Sequence, residues 1–163
     1  MARKQADKSK KEPGDGFHIV ARNRKARHGF DLIEKVEAGI VLQGTEVKSL
    51  RNGKASLDDS YASVENGEVW LYGCDIPEYL QANRMNHKPK RPRKLLLNRS
   101  EINKIANRAT EKGMTLVPLQ IYFKKGMAKV ELCVAKGRKT YDKREAIKRN
   151  EAKRDMQRFQ RRG

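Results

Sequence analysis

Asn66-Gly67 sits between two short runs of strand-forming residues, 61–64 and 68–72. Both residues tolerate positive φ, which the two central positions of a tight hairpin turn require. An antiparallel hairpin is therefore expected. A second is expected where Lys124-Lys125-Gly126 separates residues 116–123 from 127–135. Pro118 has no N–H to give a ladder, so its strand should lie at an edge or carry a bulge. Alternation over residues 30–36 suggests another strand, broken at Ala38-Gly39 and followed by a short one at Ile40-Val41-Leu42. Leu95-Leu96-Leu97 reads as a buried strand. Thr45 is placed to cap a short helix through Val47 and Leu50 that stops at Asn52-Gly53. Ser100 is placed to cap a longer one, in which Ile102, Ile105, Ala106 and Ala109 form one stripe and Gly113 supplies a stop. There is no β-α-β alternation and no internal repeat. About six short strands with two helices fit a mainly β chain: an OB-like antiparallel barrel with surface helices, whose closed edges suit a small core.

The flanks cannot belong to that core. Residues 1–16 are polar, charged and interrupted by Pro13, Gly14 and Gly16, and read as a disordered basic arm. Residues 17–138 are assigned to the barrel. Residues 139–163 hold ten Lys/Arg against four Asp/Glu, with no proline and no interior glycine. Such a segment can form a helix, but it has too little apolar surface to fold alone. It is expected to be disordered when free and helical on binding. On a helix, Ala152, Met156 and Phe159 fall opposite most of the cations. That apolar face is too thin for a membrane-surface helix.

The formal net charge is +18 and the pI about 10.1. This excess points to a polyanion, above all nucleic acid. Three clusters precede the tail. The arm carries Arg3, Lys4, Lys8, Lys10 and Lys11, and reads either as a polyanion contact or as a solubilising extension. Asn23-Arg24-Lys25-Ala26-Arg27-His28 reads as a loop in which Arg24, Lys25 and Arg27 can grip successive phosphates. The Asn23 amide can read a base edge or a 2′-hydroxyl, while His28 can simply bond within the fold. Lys88-Pro89-Lys90-Arg91-Pro92-Arg93-Lys94 is held extended by its prolines and can track a backbone, with Arg91 and Arg93 as contacts. Each is also readable as a solvated loop. Most aromatics read as core. Tyr141, at the root of the tail beside basic residues, can stack on a base. The pattern favours recognition of structured RNA by shape and phosphate.

Other classes find little support. No P-loop, GxSxG, HExxH or deaminase signature is present. His18, His28 and His87 are scattered, and Asp58-Asp59 would point to opposite faces of a strand. Catalysis, a cofactor and a metal site are not expected. Cys74 and Cys133 have no zinc spacing and read as small buried hydrophobes of a reduced, cytoplasmic protein. Residues 1–11 lack the apolar run of a signal peptide, and no segment is long and apolar enough to span a membrane.

Several segments in order resemble the SsrA-binding protein (small protein B) family of bacterial trans-translation. They are Asn23–His28, the run Glu37-Ala38-Gly39-Ile40-Val41-Leu42-Gln43-Gly44-Thr45-Glu46-Val47-Lys48-Ser49-Leu50-Arg51, and Asp59-Ser60-Tyr61. They continue with Arg91-Pro92-Arg93-Lys94-Leu95-Leu96-Leu97, Ala135-Lys136-Gly137-Arg138-Lys139 and Asp142-Lys143-Arg144-Glu145. The resemblance implies a monomeric, non-enzymatic adaptor. Its barrel binds the tRNA-like domain of transfer-messenger RNA, and its tail becomes helical in the empty message channel of a stalled ribosome. Elongation factor Tu meets the same RNA in that scheme. Asn23, Glu37, Leu96, Lys129, Lys136, Gly137, Arg138 and Lys139 are then RNA-binding positions. For Glu37 and Leu96 the role reads as indirect: a carboxylate repels phosphate, and Leu96 in an apolar run reads as core. Asp142, Lys143 and Arg144, with Tyr141, would meet the decoding centre. Lys148, Arg149, Arg154 and Arg158 would line the channel. Phe159-Gln160 departs from the family pattern. A structural ribosomal or general RNA-binding protein is the alternative.

Overall fold

The computed structural model describes residues 16–82, 85–138 and 140–160, with the side chains of 140–143 and 160 outside the description. Seven strands and four helices follow one another as β1 (His18–Arg22), α1 (Arg24–Gly29), β2 (Phe30–Ile40), α2 (Gly44–Arg51), β3 (Tyr61–Glu65), β4 (Glu68–Tyr72), β5 (Arg93–Leu96), α3 (Arg99–Ala109), β6 (Met114–Lys124), β7 (Met127–Gly137) and α4 (Thr140–Gln160). The strands run antiparallel in the order β1-β6-β3-β4-β5-β2-β7, and a β6–β7 pairing closes six of them into a ring. This is the barrel expected from the sequence, with β1 clipped to β6 as an addition.

Both hairpins form at the expected turns. Asn66 and Gly67 adopt φ of 50° and 73°, and Lys125 and Gly126 adopt 50° and 76°. Those positive values give the turn twist that matches two right-twisted strands. Along β7 the alternation is strict: Val130, Leu132 and Val134 point into the ring beside Leu71, Leu95, Leu116 and Ile121. The intervening residues of β7 face outward. Each fully buried aliphatic side chain contributes roughly 1.5–3 kcal/mol relative to exposure. α3 lays Ile102, Ile105 and Ala109 on this core, as its stripe requires.

Four local readings differ. β2 is continuous through Ala38-Gly39. Ala38 is fully buried and Gly39 pairs with β5 on one side and β7 on the other, so the glycine gives room to a neighbour rather than ending the strand. Residues 24–29 are helical, not a loop. The α2 cap is Gln43 rather than Thr45, and its backbone N–H donates to Glu46 Oε2 at 2.8 Å. The α3 cap is Asn98 rather than Ser100, with its N–H donating to Glu101 Oε2 at 3.0 Å. In both helices the residue three positions into the helix closes the box, a partner that a lone Ser or Thr signal does not reveal.

Pro118 marks a change of partner. The edge of β6 pairs with β3 at Leu116 and with β1 from Gln120 onward, and the β6–β7 register shifts between Pro118 and Gln120. The proline thus falls where no ladder N–H is needed, as its chemistry predicts. Asn23 fills the junction. Its Nδ2 donates to Pro118 O at 3.1 Å, its backbone N–H to Leu119 O at 2.7 Å, and its Oδ1 accepts the Ala26 N–H at 3.0 Å. The last bond caps α1, which then presses Ala26 onto an outer apolar cluster of Val117, Leu119, Cys133 and Ala135.

Candidate nucleic-acid interface

The outer face of β5, β2, β7 and β6 brings three predicted RNA-binding residues together. Leu96 pairs with Gly39, Gly39 with Lys129, and Lys129 with Tyr122, which makes one row across four strands. The next row is Glu37, Glu131 and Gln120. Leu96 is not core: 53% of it is exposed. It can lie across β2 because Gly39 has no side chain, and a Cβ there would stand 3.3 Å from Leu96 Cβ. Leu96 and the 58%-exposed Met127 border a groove of about 360 Å³, with Ile40, Leu42 and Val47 as apolar wall and Lys129 at its edge.

Glu37 is held by two donors on β6. The Tyr122 hydroxyl donates to Oε2, and Lys124 Nζ lies 3.4 Å from the same oxygen. The tyrosine hydrogen bond, seconded by Lys124 and Lys129, keeps the carboxyl below the usual glutamate range. Burial and the neighbouring carboxylate push the Tyr122 phenol well above its ordinary value, so it stays a neutral donor. The face therefore combines two acidic side chains, Glu37 and Glu131, with Lys124, Lys129 and an exposed apolar strip. That mixture can meet phosphate, ribose hydroxyl and base surface together. Tyr122, Lys124 and Met127 were not singled out by sequence. Their signal is cross-strand register, which appears only once the β6–β7 hairpin is aligned.

A second cationic region lies at the other end of the barrel. Arg24, Lys25 and His28 of α1, with Arg138 after β7, border a crevice of about 430 Å³ against Ala146, Ile147 and Asn150 of α4. Arg24, Lys25, Arg27, His28 and Lys136 are exposed. Arg138 is tied down: its Nε donates to Asp31 Oδ1 at 2.8 Å and its backbone N–H to Gly29 O at 3.1 Å. Gly137 ends β7 opposite Phe30. Asn23 is buried and its amide is spent inside the fold, so it does not read a base edge. It shapes this region by capping α1. Lys139 lies outside the described residues.

Arg93 is a correction of a different kind. Its side chain is completely buried, with Nε donating to Glu46 Oε1 at 2.8 Å, Nη1 to Cys74 O at 2.6 Å and Nη2 to Pro89 O at 2.8 Å. Arg91 grips the same carboxylate through Nε at 2.8 Å and Nη2 at 2.6 Å. Burial alone would raise the Glu46 pKa. The Arg91 hydrogen bonds, the Gln43 N–H and Arg93 outweigh it, and the carboxyl sits below its ordinary range. This cluster ties α2 to the 88–94 segment, so Arg93 is structural and Arg91 largely so. Lys88 and Lys90 remain the exposed cations of that run, and Lys94 pairs with Glu68 at 2.7 Å. His87 joins the same corner. Its Nε2 donates to Ile76 O at 2.7 Å, and its Nδ1 shares a hydrogen bond with the Thr45 hydroxyl at 2.8 Å.

α4 carries Arg144, Lys148, Arg149, Arg154 and Arg158 exposed along its length. Pairs such as Arg149–Glu145 at 3.5 Å are solvated and contribute little. The side chains of Tyr141, Asp142 and Lys143 are outside the description. Among the described residues no group of His, Cys, Asp or Glu could hold a metal ion, and no helix is long and apolar enough to cross a membrane.

The profile of the family described as SmpB protein matches residues 20–162. The chain belongs to the SmpB family. Relatives of the same kind cover nearly all of it. The SsrA-binding protein of Thermobifida fusca is 53% identical over 157 residues, 96% of this chain and 98% of the relative. That of Acetivibrio thermocellus is 58% identical over 140 residues, 86% and 91% of the two chains. A solved chain described as "tmRNA-SmpB: a journey to the center of the bacterial ribosome" superposes with a TM-score of 0.65 at 45% identity, covering 77% of this chain and 92% of that one. The SmpB match begins inside β1 and runs past the end of α4, so it takes in the barrel face, the α1 crevice and the tail.

Proposed function

We propose that the chain is a non-enzymatic RNA-binding adaptor. It binds the tRNA-like domain of transfer-messenger RNA and brings it to the vacant A site of ribosomes stalled on message without a stop codon. The peptide-tagging reaction and release of the ribosome follow. The observation that carries this reading is the SmpB match that spans both barrel and α4, joined to the names of the SsrA-binding relatives.

The work divides between two parts. The row of Leu96, Lys129 and Tyr122, with Glu37 beside it, grips the folded RNA. The tail root at Tyr141, Asp142, Lys143 and Arg144 meets the decoding centre, and Lys148, Arg149, Arg154 and Arg158 follow the message channel. An isolated helix with so few apolar neighbours is marginal in water, so docking consolidates α4. Elongation factor Tu joins through the RNA, and the protein acts as a cytoplasmic monomer.

The test is a truncation lacking residues 140–163. Affinity for transfer-messenger RNA should stay near that of the full chain while peptide tagging is lost. A truncated chain that tags normally defeats the division of labour. A full chain that unrelated tRNA displaces as readily as transfer-messenger RNA supports a general RNA-binding protein instead.

A further inference from the structure

Asp59-Ser60-Tyr61 lies beside α1. Asp59 has φ of 60°, a left-handed conformation that aspartate tolerates better than most residues with a side chain. Gly73 leaves room for this segment, since a Cβ on Gly73 would meet Asp59 O at 3.0 Å and Ser60 Cα at 3.3 Å. Ser60 is buried, its hydroxyl donating to Leu57 O. The segment places Tyr61 beside Tyr72. One side of the Tyr61 ring stacks on Tyr72, centroids 5.4 Å apart and planes 20° from parallel. Tyr61 is nonetheless 51% exposed.

Tyr61 forms one wall of a pocket of about 300 Å³. Ala26, Phe30 and Val117 supply apolar lining, and Asp59, Thr115 and Lys25 supply polar groups. The volume lies at the lower end of small-ligand pockets, which run from roughly 300 to 1,000 Å³. An exposed aromatic, apolar lining and a flanking cation are the elements that hold an unstacked base, with its phosphate on the cation. Asp59 adds an acceptor with no donor, which favours a base carrying an exocyclic amino group.

We propose that the Tyr61 pocket is a nucleobase subsite, taking a single unstacked, amino-bearing RNA base against the tyrosine with Lys25 on the adjoining phosphate. The subsite lies on the side of α1 that faces Asp59 and Tyr61, apart from the row of Glu37, Leu96 and Lys129. It rests on the RNA-binding function proposed above. The base can come from transfer-messenger RNA or from ribosomal RNA, since the same chemistry serves both.

The experiment uses the full chain and Tyr61→Leu and Tyr61→Phe variants, with native melting curves required of each. Affinity is measured in two arms, purified transfer-messenger RNA and purified 70S ribosomes. Ultraviolet crosslinks of the wild-type chain to each RNA are mapped by mass spectrometry. Loss of base stacking should weaken Tyr61→Leu about ten-fold in one arm, while Tyr61→Phe keeps wild-type affinity. A crosslink within residues 59–61 should appear in the same arm, and that arm names the source of the base. Leucine binding like wild type in both arms overturns the subsite. Phenylalanine losing as much as leucine, or no crosslink at residues 59–61 in either arm, also overturns it. Wild-type protein that binds neither RNA overturns the function itself, so the two failures are distinct.

Discussion

Glu46 and Arg93 form an ion pair with both side chains shut away from solvent, Oε1 and Nε 2.8 Å apart. Arg91 adds a second cation to the same carboxylate from the rim, and two backbone carbonyls each accept from one Nη atom of Arg93. Removing Arg93 leaves Glu46 with Arg91 alone and deprives the Cys74 and Pro89 carbonyls of their buried donor. Arg93→Met should therefore lower unfolding free energy by about 3–5 kcal/mol in a denaturant titration. Lys90→Met, on the exposed part of the same run, should change it by no more than about 0.5 kcal/mol.

The same cluster sets a response to acid. The Glu46 carboxyl is lowered in the folded protein from its ordinary 4.5, burial being overcome by Arg91, the Gln43 N–H and Arg93. A lowered folded value means the unfolded chain binds the proton more readily. The stabilisation is thus present above 4.5 and is lost as pH falls through the folded value. Acid unfolding followed by circular dichroism should show wild type losing stability steeply below that point. Glu46→Gln, already destabilised at neutral pH, should show a shallower decline.

Leu95 and Leu96 are neighbours with opposite fates. Leu95 is buried in the ring and Leu96 lies open on the outer face. Leu95→Ala should cost about 2–5 kcal/mol of stability. Leu96→Ala should leave the melting temperature nearly unchanged and weaken binding to transfer-messenger RNA. A Leu96→Ala protein with full RNA affinity would remove the apolar strip from the interface.

Phosphate contact has a salt signature. If about six phosphates are neutralised, log affinity should fall against log salt with a slope near −4 to −5. Lys129→Gln should flatten that slope by about one and weaken binding evenly across RNA sequences. An unchanged slope in the Lys129→Gln protein would place that side chain outside phosphate contact.

Turn chemistry made much of the barrel readable in advance. Asn66-Gly67 and Gly126 need particular backbone angles, and Ile102, Ile105 and Ala109 repeat at helical spacing, so local sequence carries those elements. α1 was unreadable for the converse reason. It buries only Ala26, and a single apolar residue makes no stripe. The 88–94 run looked like a binding loop because its neutralising partner, Glu46, lies more than 40 positions away. Charge density along a chain says nothing of a carboxylate brought in by folding. Glu37, Leu96 and Lys129 were named through family resemblance. Their meeting on one face follows from strand register, which no window of sequence displays.

The junction at Pro118 has a mechanical corollary. Since the ring closes without β1, tension applied at the N-terminus would unzip that strand from β6 and leave the six-membered hoop intact. Peeling would halt at Asn23, whose three bonds clamp the seam, so the leading segment behaves as a detachable strap with Asn23 as its buckle.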